Sequence, residues 1–183
     1  MINKNFKKEG KELDKFLEKI SSYNLLNNLF PGAVFCFLAY KLCGVTLIAN
    51  SIIESLFVYY FVGMVISRVG SIFIEPVLEK VKFVKKSEYS DYINSSMKDP
   101  KIDILSETNN IYRTIVSLCI VVALTKIAVY LFHHFNWFAN NYKWILIGLL
   151  FVIFILSYRK QTKYIRNRVN IVKRKEAENN NNS

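Results

Sequence analysis

Proline and glycine are scarce, at 3 and 6 of 183 residues. That is too few for the many turns of an all-β barrel or sandwich. Cysteine is scarce as well. Cys36, Cys43 and Cys119 are odd in number and all lie inside apolar stretches, so they read as small packing residues and not as a secreted disulfide framework. The chain lacks a P-loop, an HExxH, a GxSxG, a CxxC, and any histidine beside a nucleophile in a polar stretch. No catalytic residue and no cofactor is therefore expected, and an enzyme is not. A cleavable leader is not expected either, because the first apolar run begins near Leu25 after a charged lead and no small-residue cleavage site follows it. Acids are the under-represented charge, with 14 Asp and Glu against 25 Lys and Arg and a formal net charge of +11.

What the chain has in quantity is apolar: 52% of residues are hydrophobic and 15% aromatic. Apolar and basic together point to an all-α polytopic membrane protein with its positive charges in the loops. A bilayer core about 30 Å thick asks for roughly 20 mostly apolar residues per helix. Four stretches meet or approach this: Pro31 to Leu47, Ile52 to Val69 with continuation through Ile74 toward Pro76, Thr114 to Phe132, and Trp144 to Tyr158. Lys143 and Arg159 can extend the short fourth stretch by lifting their charges to the interfaces. The expected fold is an integral membrane four-helix bundle with cytoplasmic helical extensions. Its parts are an amphipathic cytoplasmic helix at 1–24, transmembrane helices within 25–75, a cytoplasmic helical hairpin at 76–110, two further transmembrane helices within 111–158, and a basic cytoplasmic helix with a disordered end at 159–183.

Four crossings put 22 of the 25 positive residues on one face. By the positive-inside rule that face is cytoplasmic and holds both termini, and in a bacterium the membrane is the inner one. The outer connections, Ile48 to Ser51 and His133 to Lys143, are too short to fold alone. In the lead, Phe6, Leu13, Phe16, Leu17 and Ile20 share a helical stripe, which suits either an interfacial helix on anionic lipid or a helix packed on the rest of the cytoplasmic portion. In the middle segment acids and lysines nearly balance, so its surface is close to neutral and suited to a protein partner. There Ser87 is expected to cap a short helix through Tyr92, and Asp99-Pro100 to break it.

The tail is basic along one helix, with Arg159, Lys160, Lys163, Arg166, Arg168, Lys173, Arg174 and Lys175. A stripe of Tyr158, Ile165, Val169 and Val172 can pack on a neighbour, including the same helix in another copy. The charges suit lipid headgroups or nucleic acid phosphates. The topological reading is preferred, because Tyr164 is the single aromatic available for stacking on bases.

Charges inside a span each need a partner, an interface or a job. Lys41, Glu54 and Lys126 come out at similar heights, with Lys126 about 20 Å along its helix from Arg113. They are expected to form a polar layer in which Glu54 pairs with either lysine. The same layer is the basis of an alternative reading as a pore. At the inner boundary Arg68 and Glu75, seven apart, are expected to clamp with Arg113. Gly63, Ser67, Gly70 and Ser71 form a small-residue ridge for close helix packing, with a partner helix in the same chain or in a second copy. His133 and His134 sit among Phe135, Trp137, Phe138, Tyr142 and Trp144 and read as an outer aromatic belt and not as a metal site.

The stretches ISRVGSIFIEPVLEKVKF (66–83) and YSDYINSSMKDPKIDILSETNNIYRT (89–114) resemble small four-span membrane subunits of bacterial anti-phage defence systems, the KwaA-like subunits of Kiwa-type systems. The resemblance covers about Val65 to Thr114 and identifies no active residue. It implies an oligomeric inner-membrane scaffold or sensor that senses infection or anchors a cytosolic effector. The expected partners are thus the lipid bilayer, further copies of the chain and a cytosolic protein. A pore-forming or depolarising effector and a membrane-tethered nucleic-acid binder are the alternatives.

Overall fold

A computed structural model of the chain describes residues 22–47 and 51–181. The amphipathic lead lies outside the described residues apart from Ser22–Asn24. Five helices account for most of what is described: α1 (Ser22–Cys43), α2 (Ile52–Lys80), α3 (Tyr89–Ser96), α4 (Lys101–His134) and α5 (Asn136–Asn181). No strand occurs among the described residues. Four of the helices, α1, α2, α4 and α5, are long and apolar enough to cross a membrane, so the protein is an all-α, multi-pass four-helix bundle.

Proline does not start the first span, as the sequence suggests. Helix α1 runs through Pro31 after a π-turn at Leu25–Leu29, and α2 runs through Pro76 after a second π-turn at Gly70–Ile74. In an α-helix a proline ring collides with the carbonyl four residues back, and it has no N–H to offer. A π-turn just before it widens the helix and passes the bonding to an i−5 carbonyl, as Phe30 N–H does to Leu25 and Glu75 N–H to Gly70. Both helices therefore continue without a break.

Helix α1 ends at Cys43, four residues before the expected end. Gly44 adopts the left-handed conformation at φ 70°, donating to Tyr40 O while Val45 N–H reaches Ala39 O, nested bonds that close an αL stop one residue wider than a Schellman motif. Helix α2 starts where expected, with the Ser51 hydroxyl accepting from Glu54 N–H at 3.2 Å. The loop expected between His133 and Lys143 is helical except for Phe135, whose extended backbone turns the chain from α4 into α5.

The core sits where α1, α2 and α4 meet, around Phe35, Cys36, Ala39, Ile66 and Leu118. Gly32 of α1 and Gly63 of α2 face one another so closely that a Cβ on either would collide with the other helix's backbone. The small-residue ridge of α2 thus packs within this chain, and Gly70 lies against Ser117 of α4. Helix α5 is peripheral. The buried share of the most apolar window falls from 39% in α1 and 33% in α2 to 11% in α4 and 6% in α5. Ile153 and a stack of Phe154 on Phe61, 6.2 Å between ring centroids, are its main anchors in the apolar layer. Lipid is the remaining solvent for its outer face.

Candidate functional site: a carboxylate shared by three cations

Ser67, Ser71 and Glu75 recur every four residues along α2, and all three are buried. In a regular α-helix an i+4 row drifts by about 40° per step. The π-turn at 70–74 takes up that drift and keeps the row facing the other helices. The same widening moves Glu75 away from Arg68. Seven α-helical residues would return to within about 20° of the start, but the wider turn breaks that register, so Arg68 is exposed and joins no ion pair among the described residues. The expected clamp is corrected in this respect: Glu75 pairs with Arg113 and not with Arg68.

Glu75 is 7% exposed and receives cations from three directions. Arg113 Nη1 of α4 donates at 2.9 Å and Lys160 Nζ of α5 at 3.2 Å, both to Oε2, while Lys86 from the loop after α2 pairs with Oε1. Lys86 also reaches Glu79 at 3.1 Å. Lys160 further donates to Ser71 O at 2.6 Å and Ser71 Oγ at 2.8 Å, which employs all three of its N–H bonds. Burial, with Lys160 and Arg113 adding their repulsion, pushes Lys86 down to about 8. One acid thus ties α2, α4, α5 and the intervening loop together where the apolar stretches end. The sequence reading missed Lys86 and assigned Lys160 to the exposed tail. The available signal was a buried acid with more basic neighbours than its own helix supplies.

A neutral network lies one turn deeper. Asn27 Nδ2 donates to Ser67 Oγ at 3.0 Å, Thr114 Oγ1 donates to Asn27 Oδ1 at 2.8 Å, and Ser117 Oγ donates to Ile66 O at 2.8 Å. These bonds lock α1, α2 and α4 in register, since each buried group would otherwise be unsatisfied in lipid.

Outside the bundle, α3 braces the basic end. Ile93 is buried, Tyr92 donates to Asp103 of α4 at 3.0 Å, and Tyr89 packs on Tyr164 of α5 with ring centroids 5.4 Å apart. Its N-terminus is at Glu88 with no side-chain cap, so the expected cap at Ser87 is not formed. Asp99 instead accepts from Lys101 N–H at 2.9 Å and opens α4.

The intramembrane layer of Lys41, Glu54 and Lys126 does not assemble by pairing. Among the described residues none of the three forms an ion pair. Glu54 and Lys41 lie at the ends of their own helices, and Lys126 brings its ammonium from within α4 to the end of α1. Glu54 lies in the first turn of α2, and Lys41 in the last turn of α1, 5.5 Å from the Tyr40 ring centroid. Lys126 Nζ donates to Leu42 O at 2.9 Å, one of the carbonyls left open when α1 stops at Cys43. Acid at a helix start and base at a helix end are each stabilised by the helix dipole.

His134 stacks on Tyr130, with centroids 4.0 Å apart. No group of three metal-ligating side chains occurs among the described residues. In the tail, Arg159, Lys163, Arg166, Arg168, Lys173 and Arg174 are exposed, and Lys175 falls outside the described side chains. Tyr158, Ile165, Val169 and Val172 are exposed as well. No protein-family model, curated protein or solved structure matches the chain.

Proposed function

We propose that the protein is a non-catalytic scaffold or sensor subunit of a bacterial inner membrane, with both termini cytoplasmic, that recruits a cytosolic effector protein at its basic end. The KwaA-like resemblance of residues 66–83 and 89–114 suggests an anti-phage defence system as the setting. The observation that carries the reading is the asymmetry of the two ends. At the basic end α4 extends about 20 Å before Thr114 and α5 about 35 Å beyond Tyr158. At the other end the connection between α4 and α5 is Phe135 alone. The basic end also presents large apolar side chains outside the membrane layer, with Phe83 80% and Leu105 67% exposed. Exposed apolar anchors in a segment whose acids and lysines nearly balance suit a protein surface. The exposed Ile165, Val169 and Val172 stripe of α5 suits self-association of the tail helices.

The Glu75 junction gives such a subunit a means of coupling. Docking on the loop at Lys86 or on the tail of α5 acts on side chains that also hold α2 and α4. The pore alternative has less support, because among the described residues Lys41, Glu54 and Lys126 form no ion pair with one another. The nucleic-acid alternative has less support, because Tyr164, the aromatic within the basic run, already packs on Tyr89.

The test is purification of the tagged full chain in mild detergent from its own cells. One cytosolic protein should be recovered in fixed ratio, be lost with the F83D/L105D double variant, and be retained with E54Q. Recovery of nothing with residues 76–110 intact, or recovery indifferent to the double variant, removes the reading. Reporter fusions that put either terminus across the membrane remove the orientation.

A further inference from the structure

Arg68 lines a small notch between α2 and α5 with Ser71, Ser157, Lys160, Gln161 and Tyr164. It is exposed and joins no ion pair among the described residues. The local acids are outnumbered: Glu75 and Glu79 face Lys86, Arg113 and Lys160, and Arg68 stands beside them. Lys160 brings charge to the notch but no spare donor, since its N–H bonds go to Ser71 and Glu75. Among the described residues nothing engages the guanidinium fork of Arg68, the group best shaped for phosphate oxygens. Gln161 and Tyr164 can add neutral hydrogen bonds.

The position selects the source of the anion. The notch lies where the apolar stretch of α5 ends at Tyr158, one to two turns from the end of the α2 stretch at Glu75, so the long Arg68 side chain can reach headgroups. About 10 Å farther into the apolar layer, the same two helices carry the stacked Phe61 and Phe154, and Ile72 lines the notch itself. Acyl chains can lie along that seam while the phosphate meets Arg68. The notch holds about 30 Å³, room for a phosphate oxygen with the rest of the ligand lying outside it. We propose that this notch between α2 and α5 is a binding site for an anionic phospholipid of the leaflet at the basic end, with Arg68 as the phosphate ligand. Basic pockets between transmembrane helices recognise anionic headgroups by this chemistry. The notch shares Lys160 with the Glu75 junction but includes neither Phe83 nor Leu105, on which the docking test rests, so either reading can fail while the other stands.

The full chain in a neutral maltoside detergent is titrated with phosphatidylglycerol, phosphatidylcholine or inorganic phosphate while thermal unfolding is followed. Phosphatidylglycerol should raise the midpoint by about 3 to 5 °C, with little effect of the other two. R68Q should lose at least half of that rise and keep the lipid-free midpoint, and the tail control R166Q should keep the rise. An undiminished rise in R68Q, or an equal one with phosphatidylcholine, overturns the site. An equal rise with inorganic phosphate overturns the lipid assignment. Should R68Q lower the lipid-free midpoint, native mass spectrometry of the variant decides: retained phosphatidylglycerol at the wild-type count overturns the proposal, and a lower count supports it.

Discussion

Glu54, in the first turn of α2, is exposed and forms no ion pair among the described residues, whereas Glu75, toward the other end of the same helix, is buried and shared by three cations. Both are acids of one helix in a strongly basic, apolar chain. The difference lies in what surrounds each carboxylate. Glu54 is stabilised by the helix start it occupies and by water at the interface, so no cation needs to come to it. Glu75 points into the meeting place of four elements, where an unpaired charge would be costly. A charge near the membrane therefore becomes a junction only where the fold removes its water.

Removing Glu75 should break this contrast most severely. E75A leaves Arg113 and Lys160 partly buried with no counter-charge, and a loss of about 3 kcal/mol is expected in denaturant titrations of the detergent-solubilised protein. A near-neutral result would mean that water already satisfies the junction. T114V should cost about 1 kcal/mol, because Asn27 Oδ1 loses its donor in the neutral network one turn deeper. An equal loss in the A33S control, on the same helix as Asn27, would assign the effect to general packing.

Lys86 makes the junction pH-dependent. Its folded value is lowered to about 8 from 10.5. Below about 8 both the folded and the unfolded chain hold the proton, so stability is flat there. Between about 8 and 10.5 the folded form sheds the proton while the unfolded chain keeps it, so stability should rise with pH. Unfolding midpoints from pH 7 to 10 in wild type and K86M check this, and the rise should be smaller in the variant. At the small end, E54Q should change stability by less than about 0.5 kcal/mol, and a large loss would show that an unseen partner holds that carboxylate.

How far the site could be read in the sequence depends on what each residue's role rests on. Glu75 and Arg113 are legible as two members of a boundary clamp with Arg68, since all three lie near the edge of an apolar stretch; which of the arginines pairs with Glu75 is not. Lys86 and Lys160 were not, because one sits in a loop and the other at the start of a uniformly basic run. Arg68 was misplaced because a spacing of seven implies one face only while the helix stays α-helical, and the π-turn at 70–74 ends that. Lys126 was assigned an acid partner because open carbonyls at a helix end become visible only once the helix is seen to stop at Cys43. The Gly63 ridge was readable, but its counterpart Gly32 was not.

Hydropathy and charge are sums along the chain, so the sequence by itself determined that there are four apolar crossings, that the fold is helical, and that basic residues gather at one end. Tertiary structure alone decided which of those charges share a carboxylate, which rest on helix ends and which join no ion pair among the described residues. Those outcomes depend on the rotation of each helix about its axis and on where it ends, and a one-residue change in turn width resets both.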